Sequence, residues 1–167
     1  MHLIGIDPGL TGAFILMSSD GEVVDVADIP VMAAGKGGTK VKNIVNYAAT
    51  FSILSQWVED YGVAEAWIES VGSRPTDGVA AAFSFGMTFG ALRAIVACTK
   101  QPLNLVTPGT WKKYFKLPSA DKEVARGFAI NQFPEATKFL TRKKDHNRAE
   151  AILIAYYGLQ HRQKRGG

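Results

Sequence analysis

The sequence has almost no cysteine: Cys98 is the only one in 167 residues. A single thiol can form neither a disulfide framework nor a thiolate metal cluster, which excludes both kinds of small, cross-linked domain. Cys98 ends the apolar run 94–98, so we predict a buried and unreactive thiol. This cysteine usage fits a reducing, cytoplasmic compartment.

Long apolar runs are also missing from the sequence. No apolar stretch reaches the roughly 18–20 residues that a membrane-spanning helix needs, and the N-terminus lacks the basic segment and apolar core of a secretory signal. With 47% hydrophobic and 20% charged residues, the composition is that of an ordinary globular domain. We therefore predict one domain over residues 1–162, a basic tail at 163–167 and no membrane association.

Positive charge is scarce in the first part of the chain. Residues 1–99 contain 5 Lys/Arg and 10 Asp/Glu, whereas residues 100–167 contain 14 and 5, so the two parts carry −5 and +9. Carboxylates beside a basic surface suit an enzyme that acts on nucleic acid, because carboxylates can hold metal ions while Lys and Arg contact phosphates. The uneven charge by itself, however, favours a solvated surface without such a function.

The pattern of apolar residues predicts an α/β fold. Its predicted strands are Leu3–Asp7, Gly12–Met17, Glu22–Ile29, Val63–Glu69 and Leu103–Val106. Its predicted helices are a first one capped by Asn43 and ending near Tyr61, then Gly78–Cys98, Pro108–Phe115, Ser119–Phe133 and Arg148–Gln160, with a loop at 30–42. A five-stranded mixed sheet flanked by helices accounts for this order, since the last two strands require a parallel crossover.

Two acidic residues end predicted strands, and a third lies in the last helix. Asp7 is followed directly by small, turn-forming residues, and Glu69 ends the fourth strand. Glu150 stands between alanines, which allow its helix to approach the sheet closely. His146 lies four residues before Glu150 and therefore shares its helical face. We expect the three carboxylates to meet at one edge of the sheet.

The motifs around these residues resemble those of a known nuclease family. The motifs are residues 5–9 (GIDPG), 68–69 (IE), 107–113 (TPGTWKK), 121–123 (DKE) and 149–155 (AEAILIA). In order and spacing they resemble the RuvC-type Holliday junction resolvases of the ribonuclease H-like superfamily, in particular their phage and organellar branch. This resemblance implies a ribonuclease H-like fold and metal-dependent hydrolysis of phosphodiester bonds in four-way DNA junctions.

The resemblance also implies the site residues and the cofactor. Asp7, Glu69 and Glu150 would be catalytic metal ligands, with Mg²⁺ or Mn²⁺ as cofactor and two ions per site. Many relatives place a second aspartate near the start of the last helix, where this chain has Asp145, His146 and Asn147. We favour His146 as the fourth ligand or as the base, because it shares a face with Glu150; the alternative is that His146 only caps the helix. We interpret Asp145 as the helix N-cap.

Cations and aromatic residues near these motifs are candidates for DNA contacts. The candidate phosphate-binding residues are Arg74, Lys112, Lys113, Lys116, Arg142, Lys143, Lys144 and Arg148. Trp111 either contributes to this surface or anchors its short helix in the core. Phe83, Phe85 and Phe89 are either core residues or part of the region that related enzymes use to separate bases and to dimerise. Because a resolvase makes two symmetric cuts, the resemblance implies a homodimer on branched DNA.

Three other functions remain open from the sequence. The segment 5–11 also resembles the first phosphate loop of actin-like proteins and sugar kinases, but no second phosphate loop follows residue 100. A ribonuclease H-like nuclease that processes RNA would have the same active site. A catalytically inactive protein that binds junctions is the third alternative. Cleavage of a four-way junction, compared with other substrates, distinguishes all of them.

Overall fold

Seven strands are present in a computed structural model, which describes residues 1–34, 42–72, 76–117 and 122–165. They are β1 (His2–Asp7), β2 (Ala13–Ser18), β3 (Val23–Asp28), β4 (Val31–Ala34), β5 (Lys42–Val45), β6 (Val63–Glu69) and β7 (Leu103–Val106). Five of them form one sheet in the order β3-β2-β1-β6-β7, in which β1–β2 and β2–β3 are antiparallel and β1–β6 and β6–β7 are parallel. The predicted mixed sheet of five strands is confirmed.

Helices cover both faces of this sheet. They are α1 (Tyr47–Tyr61), α2 (Val79–Cys98), α3 (Pro108–Tyr114), α4 (Lys122–Gln132) and α5 (His146–Arg165), with 3₁₀ segments at Pro134–Phe139 and Lys143–Asp145. One core lies between the sheet and α3, α4 and α5, and the other lies between the sheet and α1 and α2. The predicted arrangement of helices on both faces is therefore confirmed.

Side-chain alternation along β1 and β6 decides which face the candidate carboxylates occupy. Leu3 and Trp67 belong to the core under α5, whereas Ile6 belongs to the core on the other side. Because successive residues of a strand face opposite sides, Asp7 and Glu69 are on the face covered by α5. This is also the face where Glu150 lies.

A glycine in β1 lets α5 approach the sheet. A Cβ atom placed on Gly5 would collide with the carbonyl oxygen of Ala151 and would lie 2.7 Å from the Cβ of Ala155. Real Cβ atoms do not approach other atoms this closely, so only glycine fits here without a shift of the helix. The close approach predicted from the alanines of the last helix is confirmed, and it brings the segment next to Glu150 onto β1.

The predicted loop at 30–42 is wrong near its two ends, and the predicted start of the first helix is also wrong. Strand β4 lies inside this region and pairs with β5, which begins at the last residue of the region, Lys42, and continues where the helix was predicted to start; residues 35–41 lie outside the described chain. The helix cap is Asn46 rather than Asn43: the Asn46 side chain accepts a hydrogen bond from the backbone N–H of Ala49, at 3.1 Å. The sequence did not reveal β4 and β5 because each has only four residues, too few for a clear alternation of apolar and polar side chains.

The ends of the later helices also differ from the prediction. Helix α5 begins at His146 rather than Arg148 and runs through Arg165, into the segment predicted as a tail. The 3₁₀ segments before it were not predicted, because such short segments have no periodicity of their own. The structure describes α4 from Lys122, so its predicted beginning at Ser119 lies outside the described residues.

Helix α2 differs from the sequence analysis in two further respects. Cys98 is exposed rather than buried, because α2 contributes few residues to the core, among them Leu92, Ile95 and Val96. By length and composition, α2 is also apolar enough to cross a membrane, contrary to the prediction that no such stretch exists.

Candidate active site

Three buried carboxylates lie at the carboxyl ends of β1 and β6 and in the first turns of α5. Only 7% of Asp7, 7% of Glu69 and 6% of Glu150 is exposed. Ile6 pairs with Ile68 in the parallel register, so the next residues, Asp7 and Glu69, come at neighbouring positions on one edge. Charged groups are rarely buried, so three buried carboxylates near one edge of a sheet make this edge a candidate functional site.

Helix α3 contacts two of these three carboxylates. The indole Nε1–H of the fully buried Trp111 donates to Oε1 of Glu69 at 2.8 Å. The Nζ of Lys112, the next residue, donates to Oε1 of Glu150 at 2.9 Å. The start of α3 is fixed by Thr107, whose side chain accepts from the backbone N–H of Thr110. Of the two roles suggested for Trp111, the core role is confirmed and the role in the DNA surface is wrong, because its side chain is fully buried. In addition it binds a site carboxylate.

The donor chemistry of this edge suits a hard divalent cation. Carboxylate oxygens are the ligands that Mg²⁺ prefers, and Mn²⁺ accepts them as well. Among the described residues, however, no three His, Cys, Asp or Glu side chains are arranged to hold one metal ion. Glu69 and Glu150 instead accept hydrogen bonds from two side chains of α3, the Trp111 indole and the Lys112 ammonium group. Asp7, Glu69 and Glu150 have oxygen atoms of the right kind, and a metal ion on Oε1 of Glu150 would have to displace Lys112.

His146 is the first residue of α5, one helical turn before Glu150. Its Nδ1 lies 3.0 Å from the carbonyl oxygen of Lys143, and because a carbonyl only accepts, Nδ1 carries the proton in this contact. His146 also lines a cavity of about 380 Å³ together with Thr11 and Asp28. Asp7, Glu69 and Glu150 are not among the described residues that line this cavity.

Asp145 has a structural role at the start of α5. Its carboxylate is 2% exposed and accepts from the backbone N–H of Arg142 at 2.8 Å and from the Arg142 guanidinium at 2.7 Å. Burial acts to raise the pKa of Asp145, but the hydrogen bonds and charge of Arg142 outweigh burial and lower this pKa below its ordinary value. The N-cap interpretation is corrected accordingly: Asp145 closes the preceding 3₁₀ turn through Arg142.

Asp145→Asn is expected to lower the free energy of unfolding at pH 7 by about 2 kcal/mol, because it replaces charge-assisted hydrogen bonds with neutral ones. The folded pKa lies below the unfolded one, so this stabilisation is fully present above the ordinary Asp pKa and disappears as the pH falls through the folded pKa. Urea unfolding of both proteins at pH 7 and at acidic pH measures the effect. A difference that stays constant as the carboxylate protonates would contradict this role.

Two more contacts fix the start of α5 to parts of the chain that are distant in sequence, the end of β3 and the turn after β1. The guanidinium of Arg148 donates to both carboxylate oxygens of Asp28, at 2.6 and 2.7 Å, and this hydrogen bonding lowers the pKa of Asp28. The side-chain amide of Asn147 donates to the backbone oxygen of Thr11 at 2.6 Å, in the turn that follows β1. The sequence analysis missed these contacts, because their partners are more than a hundred residues apart and no local pattern connects them.

The structure separates the predicted DNA-binding cations into two groups. Lys112, Arg142 and Arg148 form ion pairs within the protein. Of the predicted DNA-binding lysines, those with exposed side chains are Lys113, Lys116, Lys143 and Lys144. Arg74 lies outside the described residues. The exposed lysines are therefore the better placed of these candidates to meet a phosphate backbone.

Comparison with known proteins gives a likeness in structure alone. No family model matches the sequence, and no curated protein matches it. A structure of RuvC from Thermus thermophilus has a TM-score of 0.57 at 17% identity, and the alignment covers 98% of this chain and 97% of that one. RuvC from the same organism in complex with Holliday junction substrate has a TM-score of 0.63 at 14% identity, covering 98% and 96%. Over nearly its whole length, this chain has the ribonuclease H-like fold of RuvC.

Proposed function

We propose that this protein is a metal-dependent endonuclease that resolves four-way DNA junctions. The observation that carries the proposal is the set of three buried carboxylates on one face and one edge of the sheet. A fold shared with RuvC supports it, since one of those RuvC structures contains a Holliday junction substrate. The same site on the same fold would also serve an RNA-processing nuclease, so substrate choice needs its own test.

Each site residue has a proposed task in phosphodiester hydrolysis. Asp7, Glu69 and Glu150, on two rigid strands and one helix, would hold the metal through their carboxylate oxygens. When bound, two divalent ions would activate the attacking water and stabilise the charge that develops on the leaving oxygen. His146 is the proposed fourth residue, which orients or deprotonates that water. Trp111 keeps the Glu69 carboxylate in place through its indole N–H.

The proposed DNA surface is formed by the exposed lysines next to the site. Lys143 and Lys144 lie in the 3₁₀ segment before α5, and Lys113 and Lys116 lie in and just after α3, the helix that contacts Glu69 and Glu150. Cations that flank a carboxylate cluster compensate the charge of the phosphate backbone and fix the position of the DNA. The ion-paired Arg142 and Arg148 instead stabilise the start of α5.

Replacing Lys143 and Lys144 together with alanine is expected to weaken junction binding and to flatten its salt dependence. Each lost phosphate contact removes about 0.9 from the slope of log affinity against log salt concentration, so the double variant should lose up to about 1.8. Fluorescence anisotropy with a labelled junction over a range of salt concentrations measures this slope.

Arg148→Ala is the matched control for this experiment. Because Arg148 is ion-paired with Asp28, its loss should lower the melting temperature. The salt slope of this variant should stay close to that of the wild type. An unchanged slope in the Lys143/Lys144 variant would assign these two lysines to a solvated surface with no contact to DNA.

A second copy of this chain is the proposed partner, and α2 is the proposed contact. Val79, Phe83 and Met87 lie one helical turn apart on α2 and are exposed, Phe83 to 70%. An exposed apolar patch of this kind is typical of a protein interface, and the exposure of Phe83 excludes a core role for it. Two copies related by a two-fold axis would present two active sites to the two strands of a symmetric junction.

Cleavage of matched substrates tests the proposed function. The protein is incubated in Mg²⁺ and in Mn²⁺ with a synthetic four-way junction, a duplex, a flap and an RNA–DNA hybrid. We expect metal-dependent cleavage of the junction well above the other three. Preferential cleavage of the hybrid would favour an RNA-processing nuclease, and junction binding without any cleavage would favour an inactive junction-binding protein.

A further inference from the structure

We propose that Lys112 is an internal counter-ion of the acidic edge and competes with the divalent metal for Glu150. The inference rests on the proposed metal site and adds a regulatory contact to it. In one state the ammonium group of Lys112 neutralises Glu150, and in the other state a metal ion does. Lys112 thereby sets how tightly the site binds metal.

The burial of the Lys112–Glu150 pair shows that this contact is more than a surface ion pair. The Nζ–Oε1 distance is 2.9 Å, and the side chains of Lys112 and Glu150 are 16% and 8% exposed. Exposed pairs contribute little to stability, whereas removing one partner of a buried pair leaves an uncompensated charge. Glu150 therefore needs a cation at this place, and within the protein Lys112 supplies it.

The neighbouring contacts hold Lys112 in this position. Its ammonium group lies 5.0 Å from the centre of the Trp111 ring, in cation–π geometry. Trp111 is buried and hydrogen-bonded to Glu69, so its ring cannot move away easily. One dipeptide of α3 thus binds two carboxylates, one through an indole N–H and the other through an ammonium group.

Electrostatic repulsion makes the two states exclusive. A metal ion bound to Oε1 of Glu150 would lie close to an ammonium group on the same oxygen, and like charges at that distance in a buried site repel strongly. The long, flexible lysine side chain can swing away from Glu150 when the metal binds. Part of the metal's binding free energy is then spent on displacing Lys112, which weakens metal affinity in the wild-type protein.

The test is Mn²⁺ binding by isothermal titration calorimetry, without DNA, for the wild type and Lys112→Met. Methionine keeps an apolar chain of similar length on the Trp111 ring but removes the charge. We expect Lys112→Met to bind Mn²⁺ at least about fivefold more tightly, the size of a typical coupling between two ligands of one site. Its melting temperature should be lower without metal and should rise more on addition of Mn²⁺.

Lys138→Met is the matched control. Lys138 is exposed, and its Nζ lies 4.8 Å from the Phe139 ring, so this variant removes the same charge from a similar aromatic contact that does not involve a site carboxylate. Its Mn²⁺ affinity should equal that of the wild type. Lys112→Arg, which keeps the charge, should bind Mn²⁺ no more tightly than the wild type and serves if Lys112→Met does not fold.

The outcomes separate this inference from the proposed function. If the wild type binds Mn²⁺ and Lys112→Met binds it equally or less tightly, Lys112 does not compete with the metal and the inference is wrong. If Lys112→Arg binds Mn²⁺ more tightly than the wild type, the inference is also wrong. If neither the wild type nor Lys112→Met binds Mn²⁺, the metal site itself is refuted, and the inference fails with it.

Discussion

Asp7→Asn, Glu69→Gln and Glu150→Gln are each expected to lower junction cleavage by about a thousandfold or more, which corresponds to about 4 kcal/mol of lost transition-state stabilisation. A neutral amide is a poor ligand for a hard cation, so each change removes one proposed metal ligand and keeps the shape of the side chain. Junction binding and the fold should be largely preserved. Single-turnover cleavage in Mg²⁺, together with anisotropy and circular dichroism, measures all three properties.

Glu65→Gln is the matched control for these variants. Glu65 lies on the same strand as Glu69, four residues earlier, and accepts a hydrogen bond from the side-chain amide of Asn104 at 2.9 Å. The same chemical change at this position should leave cleavage nearly unaltered. If a variant of Asp7, Glu69 or Glu150 cleaved at a rate close to that of the wild type, that residue would not be a metal ligand.

Gly5→Ala, which adds one methyl group to β1, is expected to destabilise the fold strongly. The new Cβ would collide with the Ala151 carbonyl and the Ala155 side chain, so α5 would have to move away from the sheet. Overpacking of this kind costs about 3 kcal/mol, and for a domain of this size the melting temperature should fall by about 6–12 °C. Cleavage should also decrease, because α5 carries Glu150.

Gly127→Ala makes the same chemical change in open space. Gly127 lies inside α4, and a Cβ added there would meet nothing within 4 Å. Alanine is the better helix former, so this variant should be more stable than the wild type by up to about 1 kcal/mol. Differential scanning calorimetry of the three proteins is the measurement. A Gly5→Ala protein as stable as the wild type would show that close packing of α5 on β1 is not required.

The sequence predicts those parts of the fold that have strong local patterns. The strands that end at Asp7 and Glu69 are apolar and bounded by turns, and the first helix ends at Tyr61, where Gly62 takes a left-handed conformation with φ of 65°. The three candidate carboxylates follow from these strand ends and from the alanines around Glu150. Their common face could be deduced from the strand order and the alternation of side chains.

The remaining features depend on contacts between distant parts of the chain. Whether Lys112 contacts DNA or Glu150 cannot be read from its neighbours in sequence, since only the fold brings α3 next to α5. The same applies to Arg148, which pairs with Asp28 across 120 positions. Cys98 was predicted to be buried because its neighbours are apolar, but α2 leaves much of its apolar surface outside the core.

Cleavage of a four-way junction in a supercoiled plasmid tests the central claim most directly. The plasmid carries an inverted repeat that extrudes a cruciform, and the products in Mg²⁺ are separated on a gel. If two copies of this protein cut opposite strands of the junction together, the first product is linear DNA, and Glu150→Gln gives none. Nicked circles alone, or equal cleavage of a plasmid without the repeat, would contradict the claim that this protein resolves junctions.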